Sequence, residues 1–105
     1  DHVKNWDANN LLTKLLTWQK GDISIGKQYN GNFIEALQNI KARCIIIPCN
    51  QDLYFPPEDN EFEAQHINKC ELRTYNSIWG HCVANPGNDK GFETILDQAA
   101  KDLLQ

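Results

Sequence analysis

Apolar residues recur along the chain at helical spacing in two long stretches. Ala8, Leu11, Leu12, Leu15 and Leu16 place one apolar stripe on residues 7 to 18, so the spacing predicts an amphipathic helix. The sequence Trp18-Gln19-Lys20-Gly21 closes it, with Gly21 a natural stop. Near the other end Phe92, Ile95, Leu96, Ala99, Ala100, Leu103 and Leu104 keep the same pattern without a slip. A shorter helix begins at Asn32, whose pairing with Glu35 resembles a capping box, and shows one face of Phe33, Ala36, Leu37 and Ile40. Residues 21 to 31 between these two helices read as a loop.

The period changes at residue 43. Cys44-Ile45-Ile46-Ile47-Pro48-Cys49 is the most hydrophobic run in the chain and predicts a strand over 43–48, apolar on both faces as in a parallel sheet covered by helices. Pro56-Pro57-Glu58 then opens a helix expected to reach about Lys69, with acids in its first turn and Phe62 and Ile67 facing inward. Leu72-Arg73-Thr74-Tyr75-Asn76 predicts a second strand. A Gly/Asn/Pro-rich loop over residues 80 to 91 leads into the last helix. The order is helix, helix, strand, helix, strand, helix: an α/β arrangement containing one β-α-β unit. Two parallel strands alone make a poor independent sheet, so the strand that is apolar on both faces predicts the edge of a larger one.

Composition narrows the class only a little. The chain has 105 residues, 41% hydrophobic and 23% charged, with a formal net charge of −4. There is no basic block to neutralise phosphates, so no nucleic-acid partner is expected. No apolar run nears the roughly 18 residues of a membrane span. The first ten residues lack a signal-peptide layout and no Asn-x-Ser/Thr acceptor occurs, so the expected compartment is the cytoplasm. Cys44, Cys49, Cys70 and Cys82 match no C-x-x-C pair, and His2, His66 and His81 are not spaced as metal ligands, so no metal is expected. Cys44 and Cys49 bracket one extended strand, too far apart to bond to each other. Reduced, mostly buried thiols are the expectation, with one disulfide left open.

In open α/β sheets functional groups gather just beyond the carboxyl ends of the strands. That rule selects Asp52, after the first strand, and His81, after the second. Parallel neighbouring strands bring both loops to one edge. A carboxylate that accepts the Nδ1 proton of a histidine fixes the tautomer and leaves Nε2 as a general base. The plainer alternative is that Asp52 shapes a turn and that Gly80-His81 is only a loop. His66, on a charged helix, reads as a solvated surface residue, and terminal His2 carries no information.

Three blocks carry a resemblance: "DLYFPPED", then "SIWGH" about thirty residues later, both preceded by "WDANNLLTKLLTWQKGDIS". From Trp6 to Leu104 the chain resembles the C-terminal part of the homoserine O-acetyltransferase-like α/β-hydrolases, in particular their fungal and bacterial branch of hydrolases and acyltransferases. The resemblance implies the C-terminal portion of an α/β-hydrolase fold, with 1–42 a helical post-lid region and 43–105 the β-α-β-α end of the core. In that family the triad runs Ser, Asp, His in chain order. Asp52 matches the acid and His81 the base.

No nucleophile matches. Ser24 and Ser77 both lack the flanking glycines and the strand-turn-helix setting of a nucleophile elbow. Cys82 adjoins His81, but neighbouring residues rarely present sulfur and imidazole to each other, so it reads as pocket lining or as packing beneath the pocket. The homoserine-using members resemble "GHD" here, where the acid helps recognise an ammonium group. The neutral thiol of Cys82 cannot, which points away from homoserine. Asp7, in the "WDANN" block, reads as a helix start or as part of the pocket architecture. Tyr54, Phe55 and Trp79 read as packing or pocket wall.

The expected function is therefore a segment of a serine-dependent acyltransferase or ester hydrolase. Its expected partners are an N-terminal portion of the same enzyme carrying the serine, and a small-molecule acyl donor and acceptor. No organic cofactor is implied, although acyl-CoA would serve as donor in a transferase. The alternative is a non-catalytic binding module that self-associates as a homo-oligomer, burying the same exposed surface without restoring chemistry.

Overall fold

The computed structural model describes residues 7–105; His2 and Trp6 lie outside the described residues. The backbone forms two compact units that meet in sequence at Ala36 and Leu37.

The first unit holds helix α1, Ala8–Gln19. Asp7 is its N-cap: the carboxylate accepts the Asn9 and Asn10 amides at 2.9 and 3.1 Å, which satisfies donors that a helix start leaves open. The helix ends as the sequence predicts, with the Gly21 amide turning back to the Trp18 carbonyl. Its leucine stripe is exposed, however, and no residue of α1 is buried. In the loop that follows, Ser24 is fully buried and gives both its amide and its hydroxyl to Asp22. Helix α2, Phe33–Gln38, starts on the predicted pair: Asn32 accepts the Glu35 amide and its side-chain amide donates to the Glu35 carboxylate.

In the second unit, strands β1 (Cys44–Ile46) and β2 (Cys70–Leu72) form a two-stranded parallel sheet joined by helix α3, Pro57–His66. Cys44 lies opposite Cys70 and Ile46 opposite Leu72, and the same register reappears in the bridge between Cys49 and Tyr75. Both strands were expected over longer spans, 43–48 and 72–76. Pro48 explains the interruption. Tyr75 donates to the Pro48 carbonyl and Asn50 to the Tyr75 carbonyl, but proline has no N–H to supply the rung between the strands and the bridge. The second strand also begins two residues early, because Ile67 is already extended and the Cys44 amide bonds the Lys69 carbonyl. This ends α3 at His66 rather than Lys69.

Two burial expectations are corrected in the same unit. Strand β1 is half-buried rather than covered on both faces, since β2 is its one strand neighbour among the described residues. Phe62 does not face inward; it is exposed and lies against the His66 ring at 4.5 Å, while Ile67 is buried as expected. Helix α4, Lys90–Leu104, packs against β1 and buries Phe92 and Ala99, leaving Leu96 and Leu104 exposed. Arg73 ties β2 to the end of α4 by gripping Glu71 with two bonds and Asp102 with a third. The apolar centre is small: Cys49, Val83 and Phe92, with Ile47 and Tyr75 packed around them. All four cysteines are free thiols, of which Cys49 is buried and Cys82 exposed.

Candidate active site

The loops that leave β1 and the bridge at Tyr75 emerge together, as parallel strands require. After β1 the chain turns at Cys49, whose carbonyl accepts the Asp52 amide at 3.0 Å. Asp52 Oδ1 then caps the next two open amides, accepting Tyr54 N at 2.8 Å and Phe55 N at 3.0 Å. This local Asx-type turn fixes the carboxylate before any partner arrives. Oδ2 is left free to face His81, and lies 3.1 Å from its Nδ1.

His81 rides on a short 3-10 turn, Gly80–Cys82. Gly80 makes the approach feasible: its φ is +48°, and a Cβ there would sit 2.6 Å from the Gln51 carbonyl oxygen. The two loops touch backbone to backbone at this point. The Tyr54 and Phe55 rings flank the imidazole, with centroids 4.6 and 5.2 Å away. The Asp52 side chain is 12% exposed and that of His81 43%, so the acid is sheltered and the base open.

Burial pushes the Asp52 carboxyl up, but the Phe55 and Tyr54 amides and the His81 imidazole together hold it below the ordinary carboxylate range. A carboxyl depressed in the folded state contributes stability above its unfolded pKa of about 4, and that contribution disappears as pH falls through the lower folded value. Urea midpoints of the protein and of Asp52→Asn should therefore lie apart near pH 7 and converge as pH drops below about 4. Midpoints that stay equally far apart from pH 7 to 3 would show that the charge on Asp52 contributes no stability.

A cleft of about 240 Å³ opens beside the pair and is lined by Asp52, His81, Phe55, Pro48, Asn60 and Phe92, among others. Of the residues expected as pocket lining, Phe55 faces this cleft. Tyr54, Trp79 and Cys82 do not; Tyr54 lies on the imidazole, and the other two are exposed. Asp7 caps α1. A larger cleft of about 480 Å³ sits at the opposite, amino-terminal end of both strands, between Cys44, Cys70 and Asp102. Each serine hydroxyl donates to a carboxylate: that of Ser24 to Asp22, and that of Ser77 to Asp89 at 2.7 Å. No group of three or more His, Cys, Asp or Glu among the described residues is placed to hold a metal ion.

One residue near the site, Asp89, escaped the sequence reading. Asp89 is the N-cap of α4, accepting the Phe92 amide, and it also receives the Tyr75 and Ser77 hydroxyls. The signal was present, since Asp89 stands three residues before the first apolar position of the most regular helix.

No family model matches the chain. It is 39% identical over 98 residues to an ethyl acetate hydrolase of Pseudomonas veronii, a match covering 93% of this chain and 27% of the relative. With a protein of Corynebacterium glutamicum named as a probable esterase it shares 36% identity over 75 residues, covering 71% of this chain and 21% of that one. A homoserine O-acetyltransferase of Trichormus variabilis is 27% identical over 79 residues, 75% of this chain and 21% of the relative. Among solved structures, an acetylester hydrolase of Corynebacterium glutamicum superposes with a TM-score of 0.80 at 28% identity, over 95% of this chain and 28% of that one. The chain thus spans about a quarter of the length of the proteins it matches. It is related to ester hydrolases and acyltransferases, and its mixed helices and parallel strand pair match a structure of α/β-hydrolase type.

Proposed function

We propose that the chain is the C-terminal portion of a serine-dependent ester hydrolase of the homoserine O-acetyltransferase-like family, in its fungal and bacterial branch, and that it supplies the acid and base of the triad. The observation that carries this reading is the 3.1 Å contact between His81 Nδ1 and an Asp52 carboxylate already fixed by two amides. Asp52 holds the ring in the tautomer with the proton on Nδ1, so Nε2 is the basic nitrogen. In the complete protein Nε2 takes the proton of the serine hydroxyl as its oxygen bonds to the acyl carbon. The tetrahedral adduct then collapses, and Nε2 returns the proton to the departing alcohol. Water repeats the sequence on the acyl-enzyme, releasing the acid and restoring the serine. Asp52 stabilises the imidazolium in both halves.

The relatives' names favour small acetyl esters as substrates and water as acceptor. Cys82 favours the same choice, because a neutral thiol beside the base offers no charge for the ammonium of an amino-acid acceptor. If transfer to another alcohol dominates, the same residues serve it, with an acyl-CoA thioester in place of the ester donor.

The nucleophile is the element to find. Material purified from its source, treated with a fluorophosphonate probe and weighed intact, should carry the label on a serine outside these 105 residues and should hydrolyse p-nitrophenyl acetate. A homogeneous 12.0 kDa species that neither labels nor hydrolyses the ester would overturn the proposal in favour of a non-catalytic, self-associating module.

A further inference from the structure

The segment that leads into His81 carries a second polar cluster, centred on Asp89, that the proposed hydrolysis does not use. Asp89 spends both carboxylate oxygens: Oδ1 accepts the Tyr75 hydroxyl at 3.0 Å and the Phe92 amide at 3.1 Å, and Oδ2 accepts the Ser77 hydroxyl at 2.7 Å. A helix cap requires only the amide. The two hydroxyls come from the segment that delivers His81, and they are surplus to capping.

Ser77 is buried and every polar atom of its side chain and carbonyl is occupied. Its hydroxyl oxygen accepts the Trp79 amide at 3.3 Å while donating to Asp89. Its carbonyl accepts the Gly80 amide at 3.2 Å and the Cys49 thiol at 3.4 Å. The turn that begins at Ser77 and ends on His81 is therefore tied at its root to α4 through Asp89, and to the segment after β1 through Cys49. Gly91 shows that the cluster is built in rather than incidental. A Cβ at this helix position would lie 2.5 Å from the Tyr75 hydroxyl and 3.2 Å from Asp89 Oδ1, so a residue with poor helix propensity keeps the space open. The Ser77 hydroxyl, followed by the Phe92 amide, holds the Asp89 carboxyl below the ordinary carboxylate range, so it is an acceptor toward both hydroxyls at neutral pH.

We propose that Asp89 and Ser77 are positioning residues for the reaction, a clasp that sets the height and angle of His81 against Asp52. The inference rests on the reading of His81 as the general base. A base displaced by about 1 Å loses on the order of a hundredfold in rate, and a 3-10 turn of three residues has little rigidity of its own.

The test uses the complete protein and p-nitrophenyl acetate, assayed well below the melting temperature of each variant. Ser77→Ala should lower kcat by about tenfold to a hundredfold with KM within about twofold. Ser77→Thr keeps a hydroxyl and should recover most of kcat. Asp89→Asn reads the same link if Ser77→Ala folds poorly, because asparagine still caps α4. A wild-type kcat in whichever variant folds would overturn the clasp. His81→Ala run alongside separates the two claims: inactive His81→Ala with unaffected Ser77→Ala sinks the clasp alone, whereas active His81→Ala sinks both.

Discussion

Replacing His81 with alanine in the complete protein should lower ester turnover by about 10⁴-fold or more while moving the melting temperature by only a few degrees. The rate loss follows from the proposed role: without His81 as base the serine proton would have no acceptor, and the leaving alcohol no donor. The small stability cost follows from the surroundings. The His81 side chain is 43% exposed, and its bond to Asp52 joins partly solvated groups, a class of pair worth about 0–1 kcal/mol. Ring contacts with Tyr54 and Phe55 add a comparable amount. Nor is Asp52 orphaned by the change, because the Tyr54 and Phe55 amides still satisfy Oδ1. Thermal melts and initial rates on the same preparation decide the matter. A collapse in stability with retained turnover would make His81 a structural residue.

That the Asp52 and His81 side chains could meet was legible because two signals coincide. The apolar run at Cys44–Ile46 announces a strand, and topology puts whatever follows parallel strands at one edge. No pairwise pattern needed to be read, only position in the chain. Strand limits were less legible, since they depend on a single missing donor at Pro48 and on where the chain leaves α3 at Ile67. Periodicity described the stripes of α1 and α4 correctly as stripes, but it carries no information about what covers them. Leu12, Leu16 and Leu104 are exposed, and a hydrophobic pattern alone cannot distinguish a core face from a surface awaiting a partner. The Asp89 cluster was hardest to see. Tyr75, Ser77 and Asp89 are ordinary polar residues in sequence, and only the fold shows that their side chains converge.

Gly80→Ala should be severely damaging, costing roughly 2–4 kcal/mol of stability and most of the activity. Two effects add. At φ +48° an alanine pays about 1 kcal/mol or more for the left-handed backbone. Its Cβ would also stand 2.6 Å from the Gln51 carbonyl oxygen and 3.3 Å from the carbonyl carbon, both backbone atoms with no flexible end to swing aside. Relief requires one loop to back away from the other, and those are the loops that hold Asp52 and His81. The 3.1 Å bond between them would lengthen as a direct consequence. Gly87→Ala is the matched control. Gly87 has φ +85°, yet nothing lies within 4 Å of where its Cβ would be, so it should show the conformational cost alone, with ester turnover close to wild type. Urea midpoints and kcat for both variants isolate the contact from the backbone strain. Should Gly80→Ala prove as mild as Gly87→Ala, the close approach of the two loops at Gln51 would not be what fixes the distance between acid and base.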